Sequence, residues 1–243
     1  MSDQLSWKLS CMNVRSIEGY KKESHLQRLV KDMRQDIWFL TETKLTRNIK
    51  FDGYYVQQTM GAHKGGCVTL VRQQAVHQMR LVKTLGSYMN WTKVQLADDT
   101  CWVHLISCYL EGGEQTYQQQ RAERITDVIS DIIRQDKLAT IIVGGDFNNH
   151  LPFMKHQLRQ HNFEQAINDG ESTHLLGNQL DQVFVLNAVV RNAILSNNYD
   201  RKITDHKVIK VDLDVGLRYC GPLMEDIVEP SSVSTETLMA NLK

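Results

Sequence analysis

Neither sign of charge dominates this chain: lysine and arginine together number 28, and aspartate and glutamate together number 28. That balance excludes a global field drawing the protein to nucleic acid or to an acidic membrane, so any contact with a polyanion has to come from a local patch. Cysteines at metal or redox spacing are also missing. The five cysteines, Cys11, Cys67, Cys101, Cys108 and Cys220, are odd in number, show no CxxC spacing and mostly sit inside apolar runs, where cysteine behaves as a small hydrophobe. A reduced, intracellular compartment is therefore expected. No stretch approaches the roughly 18 apolar residues of a membrane span, and the N-terminus is polar, so neither a signal peptide nor a membrane partner is expected. With no GxxxxGK[ST] loop and no GxGxxG, nucleoside-triphosphate or dinucleotide binding has no support.

What is present is material for a large core: 243 residues, 42% of them hydrophobic, with no internal repeat. Leu5, Trp7, Leu9 and Cys11 alternate with polar residues, which is the period of a half-buried strand. Residues 22–34 carry Leu26, Leu29, Val30 and Met33 at helical spacing. Ile37 to Leu40 is apolar throughout, as a strand covered on both faces would be. Further strands are expected at 67–71, 91–96 and 101–109, and a second helix over 117–133, where Ile125, Val128, Ile129, Ile132 and Ile133 make one stripe. Ile141-Ile142-Val143 follows as a buried strand, then a short helix from Pro152 to His161. Strands at 182–186 and 189–195 are expected to pair with each other. A last strand carries Ile209, Val211 and Leu213. Beyond Gly216 periodicity is lost and a tail or linker to Lys243 is expected, leaving residues 1–215 as one domain. Helices alternate with strands early and strands cluster late, which indicates a mixed-sheet α/β architecture.

The polar chemistry collects where these strands begin or end. Asn13, Glu42, Tyr109, Asp146, Asn148, Asp181, Asp205 and His206 all lie at such positions. Gly144 and Gly145, just before Asp146, are read as a tight exit from the strand. Carboxylates with carboxamides and only one histidine suit a hard divalent cation, Mg2+ or Mn2+, better than zinc, and metal with phosphate is the natural substrate chemistry. Glu42 is the hardest of these to explain as structure alone, because a carboxylate ending an all-apolar strand needs a partner. Lys44, Arg47 and Lys50 form a small basic cluster beside it. His150, His161 and His174 are read as surface or turn histidines.

In order along the chain, CMNVRS, FLTETKL, CYLEGG, GGDFNN, LDQVFV and TDHKVI resemble the motifs of the endonuclease/exonuclease/phosphatase family, the relatives of pancreatic deoxyribonuclease and abasic-site endonucleases. The resemblance covers roughly residues 5–214. It implies a four-layer α/β sandwich, two mixed β-sheets face to face with helices on both outer faces. It also implies Glu42 as principal metal ligand with Asn13 and Asp205 beside the metal, Asp146 near the attacking water and Asn148 orienting water or phosphate. Tyr109 would contact a phosphate oxygen, and His206, aligned by Asp181, would contact the scissile phosphate.

There are departures. Glu111 and Gly112 replace Pro and Asn after the tyrosine, Arg15 stands where abasic-site enzymes frequently carry an acid, and no Trp precedes Leu180-Asp181. Ser172-Thr173-His174, Gly177 and Thr41-Glu42-Thr43-Lys44-Leu45 look like endonuclease domains of mobile elements, chiefly non-LTR retrotransposons. The expectation is a Mg2+-dependent endonuclease nicking DNA, with RNA a possible partner and the nucleus its place if the element is eukaryotic. An abasic-site repair endonuclease, a 3′-exonuclease or deadenylase, and a phosphoesterase of the same fold are the alternatives, with a non-catalytic nucleic-acid-binding module behind them.

Overall fold

The computed structural model describes residues 5–61, 65–95, 102–113, 115–197 and 203–215. Twelve strands among them form two six-stranded mixed sheets. The first contains β1 (Leu5–Asn13), β2 (Ile37–Thr41), β3 (Tyr54–Gln58), β4 (Cys67–Arg72), β11 (Ala188–Ser196) and β12 (Val208–Val215), in the order β11-β12-β1-β2-β4-β3. The second contains β5 (Gln78–Leu85), β6 (Met89–Gln95), β7 (Trp102–Tyr109), β8 (Thr140–Asp146), β9 (Glu164–Gln165) and β10 (Asp181–Leu186), in the order β5-β6-β7-β8-β10-β9. Helix α1 (Tyr20–Met33) covers the first sheet, and α2 (Gln115–Gln135) and α3 (Leu151–Gln160) cover the second. This is the four-layer sandwich that the family resemblance implied. No helix of the described residues is long and apolar enough to cross a membrane.

The unbroken apolar run of β2 follows from its place between two layers. Ile37 and Phe39 point into the core between the sheets, and Trp38 and Leu40 point toward Leu26 and Val30 of α1. Both faces of the strand are thus shielded, so alternation has no purpose. The same holds for β8, where Ile142 joins the inter-sheet core while Ile141 and Val143 pack under α2 and α3. Cys11, Cys67 and Cys108 are buried with free thiols, and burial raises all three pKa values, that of Cys67 to about 12. They act as hydrophobes, as their apolar settings suggested; Cys101, Cys220 and the expected tail from residue 216 lie outside the described residues.

Two expectations fail. Strand β11 does not pair with β10 but with β12, Ile194 opposite Lys210 and Leu195 opposite Ile209. One residue, Asn187, carries the chain from one sheet to the other. It adopts a left-handed conformation (φ 59°), which asparagine tolerates well, and its Nδ2 donates to the Ala139 carbonyl at 2.8 Å. The glycines before Asp146 likewise have another role. Both lie within β8, and a Cβ on Gly144 would sit 2.4 Å from Phe39 Cδ2 of the facing sheet, so glycine there sets how closely the sheets approach.

A buried histidine makes the fold acid-sensitive. His104 on β7 stacks on Trp91 of β6 with ring centroids 5.6 Å apart, and its Nδ1 accepts from the indole Nε1–H at 3.1 Å. Burial, aided by Lys93, lowers its pKa to about 4. Because the folded value lies below the unfolded one of about 6.5, the unfolded chain takes up this proton first. The neutral ring's contribution, up to roughly 3 kcal/mol, is complete above about pH 6.5 and lost toward pH 4. Urea midpoints measured at about pH 7.5 and about pH 4.5 should differ less for His104→Phe than for the wild type, and equal differences would contradict this account.

Candidate active site

The ends of the strands meet in an open cleft of about 340 Å³. Asn13, Glu42, Tyr109, Asp146, Asn148, Asp205 and His206 all line it, and Asp181 lies immediately behind His206. A larger cavity of about 560 Å³ between α1 and Lys50–Tyr54 contains none of them. The cleft draws on both sheets. Asn13, Glu42 and the Asp205-His206 pair belong to the ends of β1, β2 and β12, whereas Tyr109, Asp146 and Asp181 belong to β7, β8 and β10.

Asn13 joins the two halves. Its Nδ2 donates to Glu42 Oε2 at 2.9 Å and to Asp146 Oδ2 at 2.7 Å, while its Oδ1 accepts from the Arg15 backbone N–H at 2.8 Å. The carboxamide thus holds two carboxylates from different sheets. Asp146 also accepts the Asn148 N–H at 2.9 Å, and the Asn148 Nδ2 donates to the Leu110 carbonyl at 2.8 Å, fixing the loop after β8 against the loop after β7.

Backbone strain concentrates here. Of the eight described non-glycine residues with positive φ, three line the cleft, Arg15, Glu42 and Asn148, and two more, Ser16 and Lys44, lie one or two residues from them in the chain. Each such conformation costs on the order of 1–3 kcal/mol and persists only where the surroundings enforce it. Glu42, at φ 54°, is followed by a backbone that bonds to Gly65 and Gly66 through Lys44 and Thr43.

The electrostatics are those of buried carboxylates facing one histidine. Asp146 is 1% exposed and Asp181 is fully buried, and one ligand atom from each and from His206 lies within 4.8 Å of the others. Burial and the neighbouring Asp181 push the Asp146 pKa up to about 8. His206 moves the opposite way to what burial alone would do: Asp181, receiving its Nδ1–H at 2.8 Å, raises the pKa to about 9. Tyr109 is held as the neutral phenol by burial and by the charges of Glu42 and Asp146.

Two carboxylate oxygens in this region, Asp181 Oδ1 and Asp205 Oδ1, are buried without a hydrogen-bond partner. Orphaned oxygens of this kind, in a set dominated by carboxylates, fit a divalent cation. Cations of the chain itself occupy part of the same space. Lys44 Nζ lies 2.8 Å from Glu42 Oε1, and Arg15 Nη1 lies 2.7 Å from Asp205 Oδ2. The basic cluster read from the sequence is therefore partly spent internally, Lys44 on Glu42 and Arg47 on Glu23.

His174 does sit in a turn, as its sequence setting suggested, but it is not a solvated surface residue. It lines the cleft, its side chain 11% exposed, with Nε2 3.2 Å from Asp205 Oδ2 and its ring edge-on to His206 at 4.8 Å between centroids. Sequence spacing did not reveal it because the contact is made by an isolated antiparallel bridge between residues 174 and 206, formed by a turn with no periodicity of its own. His150 is also buried rather than exposed, in the turn leading into α3.

Comparison with solved structures gives the same architecture. The endonuclease domain of TRAS1, a telomere-specific non-LTR retrotransposon, matches with a TM-score of 0.65 at 11% identity, over 87% of this chain and 99% of that one. The AP endonuclease LMAP from Leishmania major gives 0.68 at 15% identity, covering 86% and 88%. The catalytic domain of human Nocturnin with bound sulfate gives 0.66 at 15%, covering 88% and 96%. No curated protein matches the chain. At these identities the likeness establishes fold. A model of the endonuclease/exonuclease/phosphatase family goes further, matching residues 12–206. That span begins at the last turnings of β1 and ends on the histidine before β12, taking in every strand end at the cleft, and the chain belongs to this family.

Proposed function

We propose that this protein is a Mg2+-dependent DNA endonuclease that nicks by attack of water and leaves a 3′-hydroxyl, and that it derives from a mobile element, which would bring it to nuclear DNA in a eukaryote. The observation that carries the reading is the meeting of Glu42 and Asp146, from different sheets, on one carboxamide of Asn13. Like charges are gathered into a low-dielectric cleft at a free-energy cost that a fold without a cation or phosphate to bind has no reason to bear.

Glu42, with Asn13 and Asp205 beside it, would hold the ion. Bound there, a divalent cation supplies charge neutralisation on the phosphate and on the departing oxygen. The remaining chemistry falls to the chain. Asp146 lines the cleft with its two oxygens held by Asn13 Nδ2 and the Asn148 N–H, so as a carboxylate it is placed to take a proton from water. The Asn148 side chain and backbone fix that carboxylate's neighbourhood. His206, protonated at neutral pH and oriented by Asp181, offers a charged donor to a phosphate oxygen, and Tyr109 a neutral one.

Supercoiled plasmid incubated with Mg2+ should relax to open circles, EDTA should stop it, and the nicked ends should be extendable by a polymerase. Absence of open circles under Mg2+ would refute the proposal. Faster cleavage of a duplex with one abasic site, or of an RNA oligonucleotide, would replace it with repair or RNA-directed activity on the same cleft.

A further inference from the structure

One carboxylate of the cleft is held unevenly. Asp205 Oδ1 is buried and has no hydrogen-bond partner, whereas Oδ2 of the same group is met from two sides, by Arg15 Nη1 at 2.7 Å and by His174 Nε2 at 3.2 Å. We infer that His174 is a positioning residue for the cation centre: it pins Asp205 by Oδ2 so that Oδ1 is left for the ion. The inference rests on the proposed place of Asp205 beside the cation, and it gives His174 no contact with the ion itself.

The hydrogen on the imidazole decides what His174 can do. The Leu176 backbone N–H donates to its Nδ1 at 3.1 Å, so that lone pair is taken and the ring's hydrogen sits on Nε2, the atom that faces Asp205. In this tautomer the ring offers the carboxylate a donor and offers a metal no lone pair. Partners of this kind, one step behind a metal-binding carboxylate, hold its orientation.

Of the two groups on Oδ2, His174 is the fixed one. The Arg15 side chain is 55% exposed and that of His174 only 11%. An exposed ion pair contributes little, because water screens it and a long side chain loses freedom in keeping one geometry. The His174 main chain is tied at both ends: its N–H donates to the Asn178 carbonyl at 3.0 Å, and its carbonyl accepts the Gly177 N–H at 3.0 Å and the Ser172 hydroxyl at 2.6 Å. Two further bonds lock this turn to the segment that carries Asp205. Leu175 N–H donates to the Asp205 carbonyl at 3.0 Å and Lys207 N–H to the Thr173 carbonyl at 2.7 Å. The ring also packs edge-on against His206, which Asp181 holds in turn. Backbone bonds, rather than the attraction of ring for carboxylate, thus set where the two groups stand.

The test is binding of Mn2+ to the protein without DNA, read from loss of the free ion's electron paramagnetic resonance signal. His174→Ala should bind at least about tenfold more weakly than wild type, the scale on which removal of a ligand's supporting partner acts. His174→Gln, whose amide returns a donor at similar reach, should recover most of that loss. In an Asp205→Ala background His174→Ala should have no further effect, because its influence passes through that carboxylate. Circular dichroism checks that the variants are folded. Wild-type affinity in folded His174→Ala, no recovery in His174→Gln, or an undiminished effect in the Asp205→Ala background would each overturn the positioning role. A wild type that bound no Mn2+ would overturn the cation reading and this inference with it, whereas a protein that binds Mn2+ in the expected pattern yet fails to nick DNA would refute the nuclease reading alone.

Discussion

Glu42→Gln is expected to lower the proposed Mg2+-dependent hydrolysis by at least about a hundredfold, the scale of removing one preorganised group that stabilises charge in the transition state. The substitution keeps the shape of the side chain and deletes only its charge. In the native cleft Glu42 Oε1 pairs with Lys44 and Oε2 accepts from Asn13, so an amide there keeps an oxygen for one partner while presenting hydrogens to the other. Stability should change by no more than about 1 kcal/mol, because the side chain is at the cleft rather than in the core and one charge fewer beside Asp146 relieves repulsion. Initial rates across a Mg2+ titration check the claim. A variant within tenfold of wild type at saturating Mg2+ would remove Glu42 from the metal's shell and leave Asp146 and Asp205 to account for it.

The second large effect is on the fold. Gly145→Ala should destabilise the protein by more than about 3 kcal/mol, beyond the usual penalty for overpacking a core. A Cβ at this position would stand 1.8 Å from the Cys108 carbonyl oxygen and 2.7 Å from its carbon. Those atoms are backbone of β7, which pairs with β8 at this register, Cys108 beside Gly145 and Tyr109 beside Asp146. No rotamer change can relieve the contact, so the ladder must separate just where it delivers Tyr109 and Asp146. For a chain of this size the loss amounts to a fall in Tm of at least about 6 °C. Gly112→Ala is the control, since its Cβ would lie 3.6 Å from Asn148 Oδ1, an ordinary contact. Thermal melts that left Gly145→Ala within about 1 kcal/mol of wild type would contradict the geometry.

The sequence made the buried elements legible and the exposed ones obscure, for a physical reason. Strands covered on both faces, β2 and β8, announce themselves as short apolar runs. Three of the four edge strands do not: β5 is exposed along most of its length, β3 is only half-buried, and β9 is two residues long, so none of these carries a readable period, whereas β11 does. The pairing of β11 was misjudged because adjacency in sequence ordinarily means adjacency in a sheet, and a single left-handed asparagine reverses that inference. At the cleft, motif order pointed to residues that the fold does gather. It could not show that Asn13 spans two carboxylates or that Arg15 rests on Asp205, since both facts depend on side-chain direction. His174 escaped because its neighbours in the chain, two leucines and a glycine, look like any surface turn.

The Gly144–Phe39 contact has a consequence for where harmful substitutions can arise. The reactive groups are split between two slabs whose spacing is set by side chains far from solvent, the Phe39 ring resting on a bare backbone. Enlarging or shrinking any residue in that interior alters the gap across which Glu42 faces Asp146. A lesion among the aliphatic groups would then register as misaligned chemistry while most of the molecule still kept its shape, so turnover is the more sensitive gauge of how well the two halves fit.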